Sequence, residues 1–402
     1  VGYFHTLIAF LITICVIASM RFYYPKFEGL MSLSNTYSNF MIGSFLLLIT
    51  MPNFISNSTS DSNKNSENRV LSEKPSLSWV NVTSFPKSFN DYYSKNFGFR
   101  ADLIKGLSTF KMKFFNVSSV PDKVVIGQNG WMFLWGDYYQ IKSDYTRTNL
   151  HSSPDLIKVF DVWEKRKKML AAKGIKHYIA FYPNKHTIYP EYLPYRIKLL
   201  QKDTISRADQ ILLRHKKTNS PLAILDIRAI LKKEKESHRI YHKHDSHWNE
   251  LGAFLAYQKI IPFLSKGFDS IKPANKIEDF DVTFKEEIGG GLLKALGLDT
   301  DTSIQETKPF FKRKENVTIK SGSIKGFPKQ TNIDINENST NNLTVLIFRD
   351  SYTIALRPFI SPHFKKTVYI WGGYDEKIVE KVNPDIVLEG NVERYFSKYI
   401  VK

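Results

Sequence analysis

The chain has 402 residues, a formal charge of +18 at pH 7 and one cysteine, Cys15. That length can hold one large domain with accessory segments, while a lone cysteine excludes an intrachain disulfide framework and any paired-cysteine zinc site. The positive excess favours anionic company, such as an acidic polysaccharide or a phospholipid surface; no segment resembles a nucleic-acid module, so nucleic acid is not expected as a partner.

Two apolar runs, Phe4 to Met20 and Phe40 to Ile55, open the chain without a single Asp, Glu, Lys or Arg. Each approaches the roughly 20 residues that a membrane helix requires, so residues 1–56 read as a membrane anchor of two transmembrane helices. A buried helical hairpin is the competing reading. The Ser- and Asn-rich stretch that follows argues for a tether, and residues 57–84 are assigned as a polar linker. Arg21 and Lys26 lie between the two runs, which places that loop on the cytoplasmic side and the remainder of the chain outside. The first residue is Val1, not methionine, which reads either as a truncation, a fused upstream membrane acyltransferase being one form of it, or as an unusual start codon translated literally.

Helix and strand signals alternate beyond the tether. Ser153-Pro154 opens a helix with Ile157, Phe160 and Trp163 on one face, Gly174 closes it, and His177 to Tyr182 reads as a buried strand. Lys185 and Tyr189 follow at the edge where ligands gather in open α/β folds, as fold support or as substrate contacts. Ala223 to Ile227 is a further strand leading into a basic helix. The run Tyr241-His242-Lys243-His244-Asp245-Ser246-His247-Trp248-Asn249 then precedes a helix from Leu251 to Phe263. Gly289-Gly290-Gly291 lacks both a preceding strand and a P-loop lysine, so it reads as a flexible turn. Residues 305–342 are polar and rich in Lys and Asn, a surface insertion. Leu343 to Phe348 forms an apolar strand that halts at Arg349-Asp350-Ser351. A strand at Thr367 to Trp371, a helix from Glu376 to Val382 and a strand at Ile386 to Glu389 complete the chain. This order predicts an α/β fold whose mainly parallel sheet is flanked by helices.

The chemistry lies in two of these segments. A serine nucleophile requires an imidazole to take its proton and a carboxylate to orient that imidazole. Ser351, at a strand end, supplies the hydroxyl. Two residues apart, Asp245 and His247 supply the other two groups. Alone, Ser351 reads as a turn residue or helix cap, and His247 beside Trp248 as structural; His242 and His244 suggest a metal cluster, but no HExxH spacing supports one. The co-occurrence of both segments favours the triad.

Asp245-Ser246-His247-Trp248-Asn249 with Gly252, and Arg349-Asp350-Ser351-Tyr352, resemble the D-x-H-W and (G/R)-D-S-F blocks of the alginate O-acetyltransferase family. Val125 to Phe133 and Tyr182 to Glu191 resemble two further segments of that family. The resemblance runs from about residue 85 to the C-terminus, so 85–402 is read as the catalytic domain. It implies an SGNH-hydrolase-like (flavodoxin-like) fold, with Ser351 as the acyl carrier, His247 as general base and Asp245 as its partner. Tyr352 replaces the usual phenylalanine. Lys185, Tyr189, Trp248 and Arg349 are candidate substrate contacts. No cofactor or metal is implied. The implied function is transfer of acetyl through a serine ester to an exopolysaccharide at a bacterial cytoplasmic membrane, with the catalytic domain periplasmic or extracellular. A membrane-bound O-acyltransferase would donate the acetyl group. A carbohydrate esterase using the same triad and a non-catalytic glycan-binding subunit are the alternatives.

Overall fold

The computed structural model describes residues 38–47, 72–96, 100–323 and 326–395. The run from Phe4 to Met20 lies outside them, as do residues 48–55 of the second run and 57–71 of the linker. Among the described residues no helix is long and apolar enough to cross a membrane. The chain divides into two compact units, Val1–Phe110 and Lys111–Lys402. The first unit contains a helix over 38–47 and α1 (Phe85–Asn96), and α2 (Arg100–Phe115) begins within it.

The second unit opens with a hairpin of β1 (Val124–Ile126) and β2 (Met132–Leu134). Next comes α3 (Ser153–Ala172), started by a capping box between Ser152 and Asp155 with Pro154 in the first turn, and closed at Gly174, whose φ is +76°. Val159, Phe160 and Trp163 bury its inner face, while Ile157, expected inside, is exposed. The chain continues through β3 (Lys176–Tyr182), α4 (Arg207–Thr218), β4 (Ile224–Asp226) and α5 (Glu250–Ser265). A second hairpin follows, β5 (Phe280–Ile288) with β6 (Gln305–Arg313). Then come β7 (Ile319–Gly322), β8 (Asn332–Asn336), β9 (Thr344–Arg349), β10 (Lys366–Trp371), α6 (Glu376–Val382) and β11 (Ile386–Val392).

Seven strands form one sheet in the order β4-β3-β11-β9-β10-β8-β7. The pairings from β4 to β10 are parallel, and β8 and β7 add an antiparallel edge. The segment read as a surface insertion, 305–342, therefore supplies β6 and two strands of the main sheet. The last strand, β11, sits between β3 and β9, whereas a flavodoxin-type order places the strands after the first in succession.

Alternation along β9 splits the core in two. Val345 and Ile347 face the α5 side with Phe254, Tyr257 and Ile260; Leu346 and Phe348 face the α6 side with Ile378 and Val379. Both faces are covered, as a parallel sheet requires. This layering fixes the carboxyl ends of β3, β9 and β11 at one edge.

Candidate active site

Ser351 sits two residues past the end of β9 at that edge. Asp350 makes the turn: its Oδ1 accepts from the Tyr352 N–H at 2.9 Å and its Oδ2 from the Val392 N–H at 2.6 Å. The nucleophile's turn is thus tied to the end of the neighbouring strand. Burial pushes the Asp350 carboxyl above its usual range, against those two N–H donors. Where a regular helix was expected, residues Ser351–Leu356 form a 3-10 helix that leads into a short α-helix, Arg357–Ile360.

The second half of the site is a loop pinched at its base. Tyr241 and Trp248 form an antiparallel bridge, the His242 N–H donates to His247 O, and the Asn249 N–H donates to Ile240 O. Asn249 then caps α5, its side chain accepting from the Gly252 N–H at 3.0 Å. A Cβ at Gly252 would run into the Ile240 carbonyl oxygen, so only glycine lets α5 start against the loop.

The two halves meet in a hydrogen-bonded line. His247 Nε2 lies 2.7 Å from Ser351 Oγ, and His247 Nδ1 lies 2.5 Å from Asp245 Oδ1. Asp245 folds back on its own neighbour, because the same Oδ1 also accepts from the His247 backbone N–H at 3.1 Å. Burial pushes the Asp245 carboxyl up, but the hydrogen bond and charge of His247 together with the Gly291 N–H outweigh it and hold the acid well below the usual carboxylate range. An ionised Asp245 keeps the proton on Nδ1 and leaves Nε2 free to accept from the serine hydroxyl.

Two aromatic residues tie the halves together. The Trp248 Nε1–H donates to Tyr352 O at 3.1 Å, and the Tyr352 hydroxyl donates to Ser246 O at 2.8 Å. That second bond needs the phenol, so the departure from phenylalanine at this position adds a link between the histidine loop and the serine turn.

The other residues singled out in the sequence fall elsewhere. Trp248 lines the cavity over Ser351 while its ring is buried. Lys185 is buried beneath the loop, its Nζ donating to Met132 O, Lys243 O and Asp245 O at 2.6, 2.9 and 2.9 Å. Burial pulls its ammonium down to about 7. Tyr189 is also buried, its hydroxyl accepting from the Ile240 N–H at 3.0 Å. Arg349 turns toward Asn332 and the Trp371 ring. Each of these three supports the loop or the sheet, and none lines the cavity.

The glycine run was missed by reasoning from spacing. The Gly291 N–H donates to Asp245 Oδ2 at 2.5 Å, and Gly290, at φ +130°, packs against the His244 carbonyl. The expected flexible turn is instead the second support of the triad carboxylate. Nothing local signals this, since the partner lies 46 residues away. Among the described residues no group of His, Cys, Asp and Glu is arranged to hold a metal.

A helix-flanked, largely parallel sheet with a Ser-His-Asp line at its carboxyl edge is the layout of an SGNH-hydrolase-like domain. Residues 124–326, just over half of the chain, match the family described as "SGNH hydrolase-like domain, acetyltransferase AlgX", and the chain belongs to that family. Bacillus cereus PatB1 is similar in structure, with a TM-score of 0.51 at 16% identity over 68% of this chain and 97% of that one. The O-acetyltransferase domain of Pseudomonas putida AlgJ gives a TM-score of 0.41 at 16% identity, over 68% of this chain and 92% of that one. The likeness to PatB1, at that identity, is one of fold. No curated protein matches the chain.

Proposed function

We propose that the chain is an O-acetyltransferase that carries acetyl on Ser351 and delivers it to a hydroxyl of a polysaccharide outside the cytoplasm. The observation that carries this reading is the 2.7 Å approach of Ser351 Oγ to a histidine whose other nitrogen is held by Asp245, in a domain of an acetyltransferase family. The line opens into a cavity of about 460 Å³, large enough for an acyl group and a sugar ring together.

The chemistry runs in two halves. The Ser351 hydroxyl gives its proton to His247 Nε2 as Oγ bonds to the acyl carbonyl carbon of the donor; the donor's leaving oxygen then departs with that proton. In the second half a sugar hydroxyl gives its proton to Nε2 and attacks the Ser351 ester, and Oγ leaves with the proton. Asp245 stabilises the imidazolium in each half without itself being protonated. The Tyr352 N–H is committed to Asp350, so that amide is not free for the developing oxyanion. Acetyl reaches the site from a membrane-bound O-acyltransferase at the cytoplasmic membrane; the two charge-free apolar runs near the N-terminus favour that setting.

The test uses the purified full chain with an activated acetyl ester as donor and an oligosaccharide mixture as acceptor. Ser351→Ala should lower acetyl transfer by about a thousandfold or more with circular dichroism unchanged. Retained transfer refutes the role of Ser351. Free acetate as the sole product, whatever the acceptor concentration, favours an esterase instead.

A further inference from the structure

The cavity over Ser351 has two chemically distinct walls. One is apolar, built by Phe310, Phe311, Ile354, Pro358 and Phe359. The other carries hydrogen-bond acceptors: Glu250 and Glu306, beside the triad's own Asp245. The one lysine in the lining, Lys308, is already paired with Glu287 at 3.3 Å. Arg239, behind the wall, is paired with Glu306 at 2.9 Å, and Lys185 below it is consumed by three carbonyls. Asp245 and Glu306 are answered in turn by His247 and by Arg239 and His242, so among the described residues Glu250 is the one charged side chain lining the cavity that has no ionic partner.

Glu250 is the acid whose capacity is unspent. It stands first in α5, directly after the Asn249 cap and three residues past His247, so its backbone is fixed relative to the general base. The helix N-terminus favours a negative side chain there. Its Oε2 is nevertheless buried with no hydrogen-bond partner, a costly state for a carboxylate oxygen. That oxygen gains a donor when the side chain turns toward the cavity that the residue lines.

We propose that Glu250 accepts hydrogen bonds from the hydroxyls of the acceptor sugar, and that the cavity selects an uncharged glycan over a polyuronate. This inference rests on the acetyl-transfer reading and names its acceptor class. A neutral sugar brings hydroxyl donors to Glu250 and lays its C–H face on the phenylalanine wall. A uronate brings a carboxylate, which cannot donate to Glu250, is repelled by it, and meets no unpaired cation to offset its desolvation. The +18 charge of the whole chain sits outside this cavity, so attraction of anionic polymer to the surface and choice of acceptor at Ser351 are separate properties.

The experiment uses the purified full chain with a small activated acetyl ester and two length-matched panels, neutral hexose oligosaccharides and uronic acid oligosaccharides. Acetyl-enzyme formation is followed by intact mass, and transfer by ester on the oligosaccharide. The best neutral acceptor is expected to exceed the best uronate at least about tenfold in kcat/KM, the ratio that roughly 1.4 kcal/mol produces. Glu250→Gln should raise the KM for the neutral acceptor about tenfold and narrow the preference; Glu250→Asp should recover part of it. Equal or better transfer to uronates overturns the proposal, as does a Glu250→Gln effect that scales acyl-enzyme formation and transfer in the same proportion. Absence of any acetyl-enzyme in the unsubstituted protein overturns the acetyl-transfer reading itself, a different readout.

Discussion

Glu306 shows how a buried acid at the cavity over Ser351 holds the histidine loop. Its Oε2 accepts from Arg239 at 2.9 Å and from the Lys243 N–H at 2.5 Å, two residues before Asp245, and its Oε1 lies 3.5 Å from His242 Nδ1. Burial pushes the carboxyl up, but His242, the Lys243 N–H and Arg239 outweigh it and hold the group at about 2. A carboxyl depressed from 4.5 to about 2 adds stability that is complete above pH 4.5 and is lost as pH falls through about 2. For a side chain this buried the contribution is on the order of 3 kcal/mol. Glu306→Gln is therefore expected to be less stable than the parent at neutral pH, with the gap closing between pH 4.5 and 2. Urea unfolding at stepped pH measures this; a gap independent of pH would contradict the ion-pair account.

At the scale of elements, the triad depends on a loop held from three sides: α5 at its base, Lys185 beneath it and the glycine turn beside Asp245. Gly290→Ala puts a side chain at φ +130° and against the His244 carbonyl, which forces the loop away from Gly291. The expected result is a loss of acylation rate of roughly a hundredfold, the scale of an ångström's misplacement, with a smaller loss of stability. An unchanged rate of acetyl-enzyme formation would show that the turn does not position Asp245. Several strands and helices were legible because their signals are local: Ser152 with Asp155 caps α3, and α6 runs over Glu376–Val382, as its sequence predicts, whereas β6, β7 and β8 lie in the polar segment read as an insertion. The supports of the loop were not legible. Lys185 donates to backbone carbonyls 58 and 60 residues away, and the Gly291 N–H donates to a side-chain carboxylate 46 residues away, which no periodicity encodes. Ile157 was misplaced, since Val159, two residues on and nearly across the helix, takes the buried position.

Across the whole molecule, the site is an assembly of distant segments: Ser351 and His247 lie 104 residues apart, one at a strand end and the other on a loop tied to it by Trp248 and Tyr352. Ser351, His247 and Asp245, which the structure brings into one hydrogen-bonded line, were singled out in the sequence because each belongs to a motif. The strand order was not, because β11 enters the sheet between β3 and β9 after every other strand has been placed, a choice set by burial of Val387 and Leu388 on opposite faces. Cavity charge was equally hidden, since Glu250 and Glu306 come from α5 and β6 and meet only in the folded chain. The most direct measurement is peptide mapping by mass spectrometry after a rapid acid quench of the protein with an activated acetyl ester. The account predicts an acetyl group on Ser351 that disappears when a glycan acceptor is added; acetyl found on any other residue, or on Ser351 but indifferent to acceptor, would contradict it.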